Sequence, residues 1–232
     1  VARSLLGRGC TVVICSRKQQ GVDEAVAELE KVYPNKVFGM TIHVGKVEQH
    51  QQFIDAVCEK IGLPTILVNN AATNPYFGPM MNLSWEAWDK TMEVNLKGTF
   101  GLSRALAKRC IAAKEQASII NISSVFGINA APFQAVYGIT KAAMISLSKS
   151  LAHEWGGLGI RVNAVAPGLV DTHFASAIVK NKAMREHFTN RSALKRYAQP
   201  DEISELVCYL ASDAASFVTG QCFVIDGGYT SS

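Results

Sequence analysis

Residues 118–124 read Ser118-Ile119-Ile120-Asn121-Ile122-Ser123-Ser124, an apolar run with isoleucine on both faces of any strand it forms. A strand with one wet face alternates apolar and polar residues. One that is apolar on both faces belongs to a parallel sheet covered on each side. The same texture recurs at residues 11–15, 37–43, 65–70, 160–167 and 222–226, giving six predicted strands. Between them, longer amphipathic stretches predict helices at 22–32, 47–61, 85–113, 137–155 and 200–211. Regular alternation of strand and helix predicts an α/β fold with a doubly wound parallel sheet, its ligand crevice at the carboxyl ends of the strands. No repeat, low-complexity tract or linker breaks the pattern, so residues 1–232 read as one domain.

Size and charge agree with this. A chain of 232 residues, 48% hydrophobic and 18% charged, can bury one large core and is far from the composition of disorder. The net charge of +4 is spread over 23 basic and 19 acidic residues with no block of one sign. That excludes a nucleic-acid partner, which needs a concentrated basic stripe. Six scattered cysteines without a CxxC pair read as small buried residues in a reducing compartment, with no metal site and no disulfides. No apolar run reaches membrane-spanning length, so the expectation is a cytoplasmic protein with no membrane partner.

The opening of the chain is unusual for such a fold. Residues 1–9 read as the tail of a helix that leads straight into a strand, and no G-x-x-x-G-x-G sequence occurs. A nucleotide-binding sheet begins one strand earlier, with a glycine-rich turn feeding that helix. Either about twenty residues precede Val1, by ordinary element lengths, or the protein is naturally short there. The cost of leaving a central parallel strand unpaired favours the first. Residues that hold a pyrophosphate are then expected before Val1.

The chemistry centres on Tyr137-Gly138-Ile139-Thr140-Lys141 at the start of a predicted helix, where the i, i+4 spacing puts phenol and ammonium on one face. Lowering a phenol's pKa from about 10 to about 7 takes about 4 kcal/mol, which a close cation in a partly desolvated site supplies with help from a cationic ring. Ser124 ends a strand thirteen residues earlier, so its hydroxyl reaches the mouth where that helix begins. There it can hold a substrate oxygen while Tyr137 moves the proton. Asn95 is a polar residue in a mostly apolar helical stretch, either a satisfied core amide or part of the same site.

Asn69-Asn70-Ala71-Ala72, Asn95, Ser124 with Tyr137 and Lys141, Ala166-Pro167-Gly168 and Asp226-Gly227-Gly228 occur in order along the whole chain. Together they resemble the short-chain dehydrogenase/reductase superfamily. The resemblance implies a Rossmann-like seven-stranded parallel sheet, a nicotinamide cofactor and an Asn-Ser-Tyr-Lys tetrad. By position, Asn95 would anchor a proton relay through a water and Ser124 would orient the substrate. Tyr137 would be the acid/base and would also contact the cofactor, and Lys141 would lower its pKa and grip the nicotinamide ribose. Two departures are plain: Ala72 replaces a usual glycine, and His43 stands where many members carry Asp near the adenine. His43-Val44-Gly45-Lys46, Ser16-Arg17-Lys18-Gln19-Gln20 and Asn74-Pro75-Tyr76-Phe77-Gly78 resemble the branch of NADPH-dependent dicarbonyl and retinal reductases.

Residues also select the cofactor. NAD(H) enzymes of this fold place an acidic side chain at the end of the second strand, for the ribose hydroxyls. Here Ser16 and Arg17 follow Cys15 with no carboxylate, a pairing suited to the 2′-phosphate of NADP(H). The resemblance further implies Val44, Asn70 and Ala71 on the adenosine and ribose side. Pro167, Gly168, Val170 and Thr172 would wall the nicotinamide, with Thr172 bonding its carboxamide.

Residues 73–82 and 171–198 are expected to shape a small-molecule carbonyl or alcohol pocket, the second as an amphipathic substrate lid. Tyr76, Phe77, Phe126, Phe133 and Phe174 suit apolar ketones, or a core. The resemblance implies a homotetramer built through the helices of Asn95 and Tyr137 and the last strand. The expected activity is an NADP(H)-dependent interconversion of ketone or aldehyde and alcohol. A 3-oxoacyl thioester reductase shares every catalytic residue, and a non-catalytic nucleotide-binding protein is the alternative from another class.

Overall fold

The computed structural model describes residues 1–231. The elements run α1 (Ala2–Leu6), β1 (Val12–Ser16), α2 (Gln19–Glu30), β2 (Val37–Thr41), α3 (His50–Ile61), β3 (Ile66–Asn69), α4 (Trp85–Met92), α5 (Gly98–Ala113), β4 (Ala117–Ile122), α6 (Ala135–Trp155), β5 (Ile160–Pro167), α7 (Ser176–Lys180), α8 (Lys182–Arg191), α9 (Pro200–Ala211) and β6 (Cys222–Ile225). All strand pairs are parallel. No helix of the described residues is long and apolar enough to cross a membrane.

The quoted isoleucines show why the central strands are apolar on both faces. Ile119 packs with Leu106, Leu151 and Val162 in a cluster between the sheet and the helices α3, α5 and α6. Its neighbour Ile120 points the other way, into a cluster with Val165, Val207 and Leu210 under α9. Both side chains are fully buried. A period-two strand between two helical layers can only be satisfied this way.

The expected doubly wound parallel sheet is present, with one difference. The single seven-stranded sheet implied by the resemblance is here two sheets, β1–β2 and β3–β4–β5–β6. Neither β1 nor β3 has a strand partner on its second edge among the described residues, so the hydrogen-bond ladder stops between them. A smaller cluster of Leu6, Leu29 and Val37 supports the two-stranded part.

Local chemistry sets the helix ends. Ser84 Oγ accepts the Ala87 N–H to start α4, and Gln199 with Glu202 forms a capping box before Pro200 at the start of α9. Gly62 and Gly159, both at positive φ, turn the chain out of α3 and into β5. The stretch 85–113, read as one helix, is continuous but interrupted by a π-helical turn at Glu93–Lys97. The 171–198 segment divides into two short helices, because Asn181 Oδ1 accepts the Met184 N–H and starts α8 afresh.

Candidate active site

Parallel pairing puts the carboxyl ends of β3, β4, β5 and β6 at one edge of the sheet. Ser124 lies just past β4, and its backbone is extended before a short turn at Val125–Gly127. Tyr137 and Lys141 lie one helical turn apart near the start of α6, and both are buried. The Ser124 hydroxyl faces the Tyr137 phenol and acts to lower its pKa. Its Oγ also accepts the Phe126 N–H at 3.2 Å. The Lys141 Nζ lies 5.4 Å from the Tyr137 ring centroid and donates to the Ile122 carbonyl at 2.6 Å.

Glycines allow this close assembly. A Cβ on Gly127 would lie 2.7 Å from the Lys141 carbonyl carbon, and one on Gly138 would lie 2.9 Å from the Phe126 oxygen. The serine-bearing turn therefore sits directly on α6. Ser123 Oγ, which sequence reasoning passed over, donates to the Lys141 carbonyl at 2.8 Å and pins the same junction.

Asn95 occupies the π-helical turn and is completely buried. Its Oδ1 accepts the Thr73 N–H at 2.7 Å, and its Nδ2 donates to the Thr73 carbonyl at 2.9 Å and to Thr140 Oγ1 at 3.1 Å. Thr140 in turn donates to the Tyr137 carbonyl at 2.7 Å. Asn95 thus ties the loop after β3 to the helix of Tyr137. Widened helical turns of this kind are common at functional sites, where they redirect one side chain.

A second buried network was also missed. Asn69 Nδ2 donates to Ser103 Oγ and to Asn121 Oδ1, while Asn121 Nδ2 donates to Ser148 Oγ. An amide inside an otherwise apolar strand is the signal that could have found it, since buried polar groups need partners. These bonds lock β3 and β4 to α5 and α6 beneath the site.

Burial dominates the electrostatics. It pushes the Tyr137 phenol up to about 12, with the Ser124 hydroxyl pulling the other way. It pushes the Lys141 ammonium down to about 8. Both effects disfavour the charged form, as desolvation does. At neutral pH this tyrosine carries its proton.

The residues expected to meet a nucleotide lie past the strand ends. Pro167 is buried at the end of β5, with Gly168 and Val170 half-buried behind it. Val170 bridges to Ala198; the Asp171 N–H donates to the Ala198 carbonyl and the Ala198 N–H to the Leu169 carbonyl, across the base of the 171–198 segment. Thr172 is exposed, and its Oγ1 accepts the Ala175 N–H. Asn70 and Ala71 are exposed beyond β3. Val44 lies against the start of α5, since a Cβ on Gly98 would lie 2.6 Å from its carbonyl oxygen. Ser16 and Arg17 stand apart from these, exposed at the end of β1 in the two-stranded sheet. The Arg17 side chain has no hydrogen bond or ion pair to any described residue.

Comparison with known proteins agrees along the full length. A family model described as enoyl-(acyl carrier protein) reductase matches residues 1–230. The dehydrogenase/reductase SDR family member 4 of Oryctolagus cuniculus is 36% identical over 230 residues, covering 98% of this chain and 87% of that protein. Tropinone reductase-like 3 of Erythroxylum coca is 36% identical over 220 residues, covering 95% and 83%. Among solved structures, a gluconate 5-dehydrogenase from Burkholderia cenocepacia in complex with NADP and tartrate superposes with a TM-score of 0.94 at 32% identity, covering 100% of this chain and 89% of that one.

Proposed function

This chain belongs to the short-chain dehydrogenase/reductase family of oxidoreductases, and we propose that it is an NADP(H)-dependent carbonyl reductase with Tyr137 as its acid/base. The observation that carries this reading is the meeting of the Ser124 hydroxyl, held by the Phe126 N–H, with the buried Tyr137 phenol whose pKa it acts to lower, and with Lys141 beside the ring.

The residues present fit a phosphorylated dinucleotide. Arg17, exposed and without a partner among the described residues, offers a planar fork at the end of β1, Ser16 adds a hydroxyl, and residues 15–20 contain no carboxylate. Val44, Asn70 and Ala71 would hold the adenosine and ribose side. Lys141, Pro167, Gly168, Val170 and Thr172 would hold the nicotinamide half. When bound, the nicotinamide supplies or accepts the hydride.

The protein's own part is proton transfer and orientation. The carbonyl oxygen of the substrate lies within reach of Ser124 and Tyr137, and the phenol gives it a proton as the carbon gains the hydride. The phenolate left behind is stabilised by the Ser124 O–H and by the Lys141 ammonium. Reoxidation of the alcohol returns the proton to the same oxygen. A phenol held up by burial is protonated at neutral pH, which suits the reductive direction. Asn95 keeps the loop after β3 against α6, and in this reading it also anchors the water that relays protons onward. The 171–198 segment closes over the substrate. The assembly that goes with this reading is a homotetramer through α5, α6 and β6, which light scattering on the purified protein would measure.

A 3-oxoacyl thioester substrate is the second reading; the description of the matching family model names an acyl carrier protein, which supports the thioester and not the 3-oxo group. The test is a panel of diketones, retinal and acetoacetyl thioesters with NADPH and NADH. We expect kcat/KM with NADPH to exceed that with NADH by about tenfold or more, one charge-assisted contact's worth, and ketones to outrun thioesters. Preference for NADH, or no nucleotide oxidation with any carbonyl, would overturn the proposal.

A further inference from the structure

The helices α7 and α8 are lightly anchored. α8 has no buried residue and α7 has only Val179. A ten-residue, strongly charged helix does not hold together by itself, so α8 depends on whatever seats it. Its strongest ring contacts come from Phe188. This ring lies 5.8 Å from Phe126 at 65° and 5.5 Å from Tyr229 at 26°, both distances favourable for aromatic pairs. Beyond α8 the chain is tied to the C-terminal segment instead, where Ser192 Oγ and the Leu194 N–H both donate to the Gly227 carbonyl.

Phe126 is the informative partner. Its own N–H holds Ser124 Oγ at 3.2 Å, the long end of the normal range, so a small tilt of the turn changes that bond. On one side the turn rests on α6 through Gly127 and Gly138. On the other, the Phe126 ring meets Phe188. The turn that sets the serine is therefore gripped between a rigid helix and the 171–198 segment.

We infer that Phe188 is a positioning residue that docks the 171–198 segment onto the serine-bearing turn, coupling closure over the substrate to the setting of Ser124. It acts through Phe126 and touches no reacting atom. The inference rests on the carbonyl reductase reading for its catalytic consequence and on the ring contacts alone for the docking.

The experiment compares wild type with Phe188→Ala and Phe188→Tyr, with Phe188→Leu in place of the alanine variant should that one fail to fold. Loss of two ring pairs should lower kcat/KM for the ketone by about 10- to 100-fold, while NADPH affinity stays within about threefold. The pH–rate midpoint of alcohol oxidation should move up, because a loosened Ser124 stabilises the phenolate less. Phe188→Tyr keeps the ring and should recover kcat/KM to within about threefold of wild type. Limited trypsin digestion should cut inside 171–198 about tenfold faster in Phe188→Ala, since cleavage follows local opening. Equal cleavage rates overturn the docking. A fall in kcat/KM with an unmoved pH midpoint, or one that tyrosine does not repair, overturns the coupling. If wild type reduces no carbonyl, the carbonyl reductase reading fails, and the digestion result still decides whether Phe188 docks the segment.

Discussion

The strands β4 and β5 and the strand β1 are built from similar residues but differ in burial among the described residues. Every residue of β5 except Arg161 is buried, and so are Ala117–Asn121 of β4. No residue of β1 is buried, although Val12, Val13 and Ile14 are as apolar as their counterparts. The catalytic side chains follow the first kind of strand; Ser16 and Arg17 follow the second. Chemistry that depends on tenths of an ångström is placed where two helical layers and a buried amide network hold the backbone. Nucleotide choice, which needs mainly a charge of the right sign, sits at the end of β1, where Ser16 and Arg17 are exposed.

Substitutions on each side can break or sharpen this contrast. Lys141→Ala belongs to both halves of the reaction, so kcat should fall about 10²- to 10⁴-fold and nucleotide affinity should fall with it. Steady-state kinetics with a fluorescence titration would check this, and a loss confined to kcat would contradict the ribose contact. In the four-stranded sheet, Ile119→Ala empties a fully buried site between sheet and helices and should cost about 2–5 kcal/mol in urea unfolding. A cost below about 1 kcal/mol would contradict that packing. Arg17→Ala should weaken NADPH binding by about 10- to 100-fold, the worth of a charge-assisted hydrogen bond, and leave kcat at saturating NADPH unchanged.

The smallest effect is in stability against pH. Lys141 titrates near 8 in the folded protein and at its ordinary 10.5 when unfolded. Between those values the unfolded chain binds the extra proton, so stability rises with pH. Wild type should therefore gain on Lys141→Ala as pH climbs from about 8 towards 10, measured as the difference in urea midpoints.

Much of this was legible from residue patterns. All six strands lie within two residues of their predicted limits, because apolar β-branched runs between turn residues have few other uses. The proximity of Ser124 to Tyr137 followed from a strand end feeding a helix start. What stayed hidden is what depends on tertiary approach. The π-helical turn at Asn95 keeps the apolar pattern of a regular helix and is set by contacts with Thr73 and Thr140. The break at Asn181 hid inside a segment whose charges looked uniformly helical. Phe126 and Phe188, 62 positions apart, reveal their relation only when folded. The strength of burial at Tyr137 was likewise underestimated, since a two-residue spacing argument sees the cation and not the apolar surroundings.

The central claim is that the Tyr137 phenol moves the proton and does little to hold the nucleotide. Its most direct test is Tyr137→Phe, assayed for NADPH-dependent ketone reduction alongside NADPH titration. Turnover should collapse by about 10²-fold or more, with affinity for NADPH unchanged within a few-fold. Substantial turnover in that variant would contradict it.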